Sequence, residues 1–129
     1  MPENTGRGPA VPDHEDAYRA ILYPRQWVPL ENRPSTAAFD EPVFSVDIAS
    51  KTTPQATAAR FKIVLKLVTF NCGKARGHGF DTRDEPDVNY PDNMAHAHVY
   101  FDEYHGLGKK TRKKRIRHLI EEACWVVKY

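Results

Sequence analysis

Three segments of the chain alternate apolar and polar residues with a period of two, and this pattern constrains the fold more than any other feature. Residues 43–50 read VFSVDIAS, residues 61–70 read FKIVLKLVTF and residues 95–101 read AHAHVYF. Successive side chains of a strand point to opposite faces of a sheet, so each segment predicts a strand that is buried on one face only.

The second segment is the richest in β-branched residues, and its lysines at 62 and 66 should face water. The inward residues of this strand should be Phe61, Ile63, Leu65 and Leu67. The third segment should bury Ala95, Ala97, Val99 and Phe101, and it should place His96, His98 and Tyr100 together on the opposite face.

Two helices are predicted from their start signals and their periodicity. Thr53 can cap a helix whose first residue is Pro54, and this helix should run to about Arg60. A longer helix should run from near Gly108 to about Ala123. Its apolar residues recur at i, i+3, i+4 and i+7, and these are Ile116, Leu119, Ile120 and Ala123.

These elements predict an α+β fold, with a small three- to five-stranded antiparallel or mixed sheet covered by two or three helices. Residues 125–127 should add an edge strand. Residues 71–93 should form a long polar loop, which in a small domain is usually functional or mobile.

The domain boundary is predicted near residue 17. Residues 1–16 carry three prolines, two glycines and almost no large apolar side chain, so we expect a disordered N-terminal tail. Residues 17–129 should then form a single globular α+β domain, because a chain of 129 residues has the size of one domain.

Composition favours a cytoplasmic protein. Two cysteines, Cys72 and Cys124, are too few for a disulfide scaffold and are expected to be free thiols. No apolar run is long enough for a membrane span or a signal peptide, so we expect no membrane partner. The net charge is only +2, but its distribution is uneven, because seven of the nine residues 109–117 are basic.

The histidines of the third strand are the candidate metal ligands. His96 and His98 share one strand face, and Glu103 follows just beyond the strand, so the three could hold a divalent ion. The spacing H-x-H-x4-E is similar to the first half of a cupin metal motif, but Tyr90 and Lys110 replace the glycines of that motif. We therefore assign no family, and we favour hydrogen-bonded histidines over a metal site.

A metal-free catalytic role is an alternative of equal weight to the metal site. The imidazoles of His96 and His98 could act as a general acid and base on a phosphodiester. Three further side chains complete this candidate catalytic set, namely Tyr100, Arg76 and His78.

The basic segment GLGKKTRKKRIRH (106–118) supplies the other candidate site. It is not a phosphate-binding P-loop, because Glu103 and Lys110 stand where that motif needs a glycine and a serine or threonine. Lysines at a helix start oppose the helix dipole and repel one another, and a bound phosphate would reverse both penalties. The candidate polyanion-binding residues are Lys109, Lys110, Arg112, Lys113, Lys114, Arg115 and Arg117.

Three functions remain open on the sequence. We favour binding of a polyanion, above all nucleic acid, through the basic helix. The first alternative is a small metal-dependent hydrolase or metal-free nuclease that uses His96 and His98. The second is an accessory subunit that acts through protein–protein contacts, with its acidic segment 81–93 as the contact surface.

Overall fold

The computed structural model describes residues 6–129, and its main feature is a six-stranded antiparallel sheet. The strands are β1 (Asp16–Ile21), β2 (Trp27–Val28), β3 (Arg33–Pro34), β4 (Val43–Ile48), β5 (Lys66–Asn71), β6 (Phe80–Asp84), β7 (His96–Phe101) and β8 (Cys124–Val127). The order in the sheet is β6-β7-β4-β1-β5-β8, and β2 and β3 pair separately. The helices are α1 (Pro54–Ala59), α2 (Cys72–Gly77) and α3 (Lys109–Ala123).

The predicted fold class is wrong both for the size of the sheet and for the helices that cover it. The main sheet has six strands rather than three to five. Only α3, with 15 residues, is longer than two turns, and α1 and α2 have six residues each. The sheet is larger than predicted because residues 16–21 form β1 in its interior and because the polar segment 71–93, predicted to be a loop, contains the edge strand β6 as well as α2.

The strongest local patterns are confirmed. The strand β7 buries Ala97, Val99 and Phe101 and leaves the alternate residues half-exposed. The Thr53 side chain accepts a hydrogen bond from the Ala56 N–H, as a helix cap should. The four apolar residues of α3 are all buried, and β8 forms the edge strand predicted around residues 125–127.

No helix within residues 6–129 is long and apolar enough to cross a membrane.

The strand predicted for residues 61–70 begins later, at Lys66. The side chain of Ile63, expected to face the core, is 69% exposed. The reason lies in the partner strand, because β1 ends at Ile21 and Ile21 pairs with Lys66. The proline at position 24 follows closely, so β1 offers no residue that could pair with Phe61 or Ile63.

The segment expected to be a disordered tail is described from Gly6 onward, while residues 1–5 lie outside the described part. It differs from that expectation, because residues 9–11 run along the outer edge of β6. Ala10 forms a β-bridge with Arg83, and the Val11 N–H donates to the Thr82 carbonyl oxygen. The Val11 side chain is 2% exposed and belongs to the core. The segment is thus held by one buried apolar side chain, by backbone hydrogen bonds and by polar contacts such as that of the Gly8 N–H with Glu85.

The two faces of the sheet have different chemistry. The dry face carries Phe44, Val46, Ile48, Val68 and Phe70, and α3 packs on it through Ile116, Leu119, Ile120 and Ala123. The wet face carries the alternate residues of the same strands, including Tyr18, Ser45, Asp47, His96, His98 and Tyr100. Any chemistry of β7 is therefore separated from α3 by the thickness of the sheet.

Candidate functional site

The wet face of β7 brings together the side chains that the alternation predicts. The imidazole rings of His96 and His98 have centroids 4.8 Å apart and are nearly perpendicular, at 88°. On the neighbouring strand, Ser45 lies opposite His98 and Asp47 lies opposite His96. The side chain of His98 is 35% exposed, so water and small solutes can reach it.

Glu85, from the segment between β6 and β7, anchors this group. Its Oε1 atom accepts hydrogen bonds from the Tyr100 hydroxyl at 2.6 Å and from His98 Nδ1 at 2.9 Å. Its Oε2 atom accepts from the backbone N–H of Gly8 at 2.6 Å. Its backbone carbonyl oxygen accepts from His96 Nδ1 at 2.8 Å. We call Glu85, His96, His98 and Tyr100 the wet-face cluster.

These contacts fix the tautomers of both histidines. A carbonyl oxygen and an ionised carboxylate can only accept hydrogen bonds, so the Nδ1 atoms of His96 and His98 must carry the hydrogen. In the neutral rings each Nε2 atom then carries a lone pair. Within residues 6–129, neither Nε2 atom has a hydrogen-bond partner. The cluster therefore presents two imidazole lone pairs on one strand face.

The hydrogen bonds also set the protonation of the other two members. Burial acts to raise the pKa of Glu85, but the hydrogen bonds from Tyr100, the Gly8 N–H and His98 outweigh it, and the pKa is lowered. Burial, followed by the hydrogen bond to Glu85, raises the pKa of Tyr100 to about 12. At neutral pH the cluster therefore contains a carboxylate and a protonated phenol.

Glu103, the predicted third metal ligand, lies apart from the histidines. Its Oε1 atom accepts a 2.6 Å hydrogen bond from Arg115 on α3. Among the described residues, no group of three histidine, cysteine, aspartate or glutamate side chains is placed to hold a metal ion. The triad of His96, His98 and Glu103 is therefore not formed, because the chain turns away from the wet face after β7.

The other two members of the predicted catalytic set are engaged elsewhere. The guanidinium of Arg76 on α2 donates to Asp81, to Asp13 and to the backbone carbonyl of Val11. The Nε2 atom of His78 lies 2.9 Å from a carboxylate oxygen of Glu122 on α3. Both residues thus tie α2 to its surroundings, and the structure does not join them to the wet-face cluster.

A groove of about 960 Å³ opens beside His96 on the wet face. Its walls are α1 and residues 87–93, and its floor includes Tyr18 and Ser45. Asp47 on β4 is only 5% exposed, and its hydrogen bonds link both walls of the groove to the sheet. Its carboxylate accepts hydrogen bonds from the Thr57 hydroxyl at 2.7 Å, from Arg60 at 2.8 Å and from the Asn93 amide at 3.2 Å.

The basic residues of α3 divide into two sets. Arg112 lies over the ring of Tyr104 and donates to Asp40 at 2.6 Å, and Arg115 donates to Glu103. These two arginines are thus held by the fold. Within the described chain, the other five form no ion pair and no side-chain hydrogen bond, and they are Lys109, Lys110, Lys113, Lys114 and Arg117.

The five unpaired cations form one stripe along the helix. At 100° per residue they cover about 140° of the circumference, and Arg112 and Arg115 point away from that sector. The helix begins after Gly108, which has no side chain to cap it, so backbone N–H groups of the first turn are free. We call Lys109, Lys110, Lys113, Lys114 and Arg117 the basic stripe.

The sequence alone does not single out two important residues. Glu85 looks like one of many carboxylates in a polar loop, and only the pairing of β6 with β7 brings it to the histidines. Asp47 is expected to face water on the polar side of its strand, whereas α1 covers it.

The chain matches no protein-family model, no curated protein and no solved structure with which it was compared.

Proposed function

We propose that the protein binds a polyanion, most simply the phosphate backbone of nucleic acid, through the basic stripe. One observation carries this proposal. Five cations lie along the first three turns of α3 without a partner in residues 6–129, although the same helix pairs Arg112 and Arg115. A helix selected for stability alone would not place lysines against its own dipole.

The free backbone N–H groups in the first turn of α3 also favour binding of an anion. Phosphate oxygens accept hydrogen bonds from such groups, and the helix dipole favours an anion at this end. Contacts of this kind are made to the backbone and not to the bases, so affinity should depend steeply on salt and little on sequence. The aromatic ring of Tyr104 packs against Phe101 and Arg112, so it supports this helix instead of stacking on bases.

A cytoplasmic location belongs to the same proposal. Cys72 and Cys124 are free, which suits a reducing compartment where nucleic acid is present. An accessory role through the acidic segment 81–93 has less support. Asp81 is paired with Arg76 and Arg83, and Asp84 is paired with Lys51, so part of that negative charge is neutralised within the chain.

The test is a salt titration of binding to a labelled oligonucleotide. The variant K109Q/K110Q/K113Q/K114Q should bind far more weakly than the wild type. The slope of log affinity against log salt should fall by about one unit for each phosphate that the variant no longer binds. The melting temperature of the variant should stay the same or rise slightly, because repulsion between the lysines is relieved.

The matched control is K62Q/K66Q/K74Q/K128Q, which removes the same number of charges from lysines elsewhere on the surface. It should bind almost as the wild type does, at every salt concentration. Equal reductions in affinity in the two variants would show that net charge alone attracts the oligonucleotide. No binding by the wild type at low salt would overturn the proposal.

A further inference from the structure

We propose that His96 and His98 bind one divalent transition-metal ion through their Nε2 atoms, with water in the remaining coordination positions. This site is separate from the basic stripe and does not depend on the proposed function. It also differs from the predicted triad, because Glu103 takes no part in it.

The spacing of the rings fits such an ion. A metal about 2.1 Å from Nε2 lies about 3.2 Å from the ring centroid, so two rings bound at 90–110° have centroids roughly 4.5–5.2 Å apart. The observed separation of 4.8 Å between the rings of His96 and His98 falls inside that range. The strand places the two residues on one face about 6.6 Å apart, and the hydrogen bonds to Glu85 hold the rings at the shorter separation.

The hydrogen bonds to Nδ1 are those that metal-binding histidines require. A metal-bound imidazole almost always donates its other N–H to a carboxylate or a backbone carbonyl, which orients the ring and raises its basicity. Glu85 supplies both kinds of acceptor, its carboxylate for His98 and its carbonyl for His96. Glu85 is thus a positioning residue, and the lone pairs of both Nε2 atoms are left for a cation.

The charges around the rings favour a cation. Three arginines lie near the rings, and each has a carboxylate partner. Arg83, opposite His98 in the sheet, is paired with Asp81, and Arg60 is paired with Asp47 opposite His96. The Arg7 guanidinium lies 3.9 Å from the centroid of the Tyr100 ring and is paired with Asp102. Asp81 also contacts Arg76, but Arg76 has a second partner in Asp13. In the described part of the chain the Glu85 carboxylate has no lysine or arginine partner, so with neutral imidazoles it is the one charge near the rings that is not balanced.

Two imidazole ligands indicate the class of ion. Imidazole nitrogen suits copper, zinc and nickel, and the affinity should follow the order in which Cu²⁺ exceeds Ni²⁺ and Zn²⁺. A site with only two protein ligands keeps open positions, which a metal needs in order to bind and activate a further ligand. The groove beside His96 gives such a ligand a route to the ion.

The experiment is calorimetric titration of Cu²⁺, Ni²⁺ and Zn²⁺ into the full-length, tag-free protein. We expect one ion per chain, and electron paramagnetic resonance of the Cu²⁺ form should show coordination by two nitrogens. Single variants His96→Ala and His98→Ala should each abolish this binding. The exposed His118 on α3 gives the matched control, and His118→Ala should bind as the wild type does.

A second variant guards against loss of fold as the explanation. Glu85→Gln keeps both imidazoles but weakens the acceptor for His98, and it should lower affinity by about 10–100-fold while the stoichiometry stays at one. Circular dichroism should show that the variants fold. Unchanged affinity in folded His96→Ala or His98→Ala, or binding in which the copper signal shows a single nitrogen, would overturn the proposal.

Discussion

The basic stripe and the wet-face cluster are both polar, but they differ in whether their charges are satisfied within the chain. In the cluster, each oxygen of the Glu85 carboxylate accepts at least one hydrogen bond, and both histidines donate through Nδ1. In the stripe, the five cations have no partner among residues 6–129. The charges of the stripe are thus themselves available to a ligand, whereas in the cluster the charge of Glu85 is engaged and only the uncharged Nε2 atoms of the histidines are free.

Helix α3 shows this difference within one element. Arg112 and Arg115 have the same charge as their lysine neighbours, but each is paired with a carboxylate from another part of the chain. A count of basic residues treats all seven alike. The ion pairs assign two of them to structure and leave five for binding.

The largest effect is expected at Asp47, a neighbour of the wet-face cluster whose charge is also fully engaged within the chain. Replacing Asp47 by alanine leaves Thr57, Asn93 and Arg60 without their acceptor in a buried position, so the free energy of unfolding should fall by about 3 kcal/mol. Urea denaturation followed by fluorescence would measure it. In the control Glu31→Ala, which breaks the exposed pair with Arg33, the decrease should stay within about 1 kcal/mol. Equal decreases would contradict our view of Asp47 as a structural anchor.

Arg112 is paired and Lys113 is not, so substitutions of these two neighbours on α3 should have opposite effects on stability and on binding. Arg112→Gln should lower the melting temperature without changing oligonucleotide affinity, because it removes the interactions with Asp40 and Tyr104. Lys113→Gln should leave the melting temperature unchanged and reduce the salt slope of binding by about one unit. Thermal melts and salt titrations of both variants would measure this. A reduction of affinity in Arg112→Gln equal to that of Lys113→Gln would show that pairing does not divide the helix.

The last prediction concerns the two thiols, whose pKa values are set mainly by burial. Burial alone raises the pKa of Cys124 to about 12, and burial is also the main cause that raises the pKa of Cys72 to about 11. At pH 8 a thiol with a pKa of 11 forms roughly a hundredfold less thiolate than an ordinary one, so alkylation by iodoacetamide should be slow in the folded protein.

The same shifts give a pH dependence of stability with a defined sign. Between pH 9 and about 11 the unfolded thiols lose protons that the folded ones keep, so the free energy of unfolding should fall as the pH rises, by up to about 1.4 kcal/mol per pH unit for each thiol. Urea denaturation at several pH values would measure this, and in the control Cys72→Ser/Cys124→Ser the slope should be smaller, with the contribution of Tyr100 left. Rapid alkylation of the folded protein at pH 8 would contradict the raised pKa values.

The elements that could be predicted are those determined by residues close together in the sequence. β4, β7, the Thr53 cap and the apolar face of α3 all follow from residues within a few positions of one another. The histidine pair was predicted for the same reason, because alternation alone places His96 and His98 on one face. The same alternation also predicts that these residues face away from the core.

The parts that were missed depend on distant partners. β6 reads FDTRD, a polar sequence with little intrinsic strand preference, and it becomes a strand because it pairs with β7 on one side and with residues 9–11 on the other. Glu85 reaches the histidines only through that pairing. The late start of β5 was set by where β1 stops, which the residues 61–65 themselves do not encode.

The two edges of the six-stranded sheet differ in how open they are to a strand from another molecule. Residues 9–11 cover the outer edge of β6, whereas in the described residues no strand pairs with the outer edge of β8. Continuous fibres need two complementary open edges on every molecule, so that each copy both receives and offers a strand. On the β6 side, residues 9–11 already accept and donate the hydrogen bonds that a second copy would need, and the prolines at 9 and 12 have no N–H to offer on the outer side of this segment. The segment predicted to be a disordered tail thus makes this edge of the sheet a poor template for another strand, and the edge at β8 is the more open of the two.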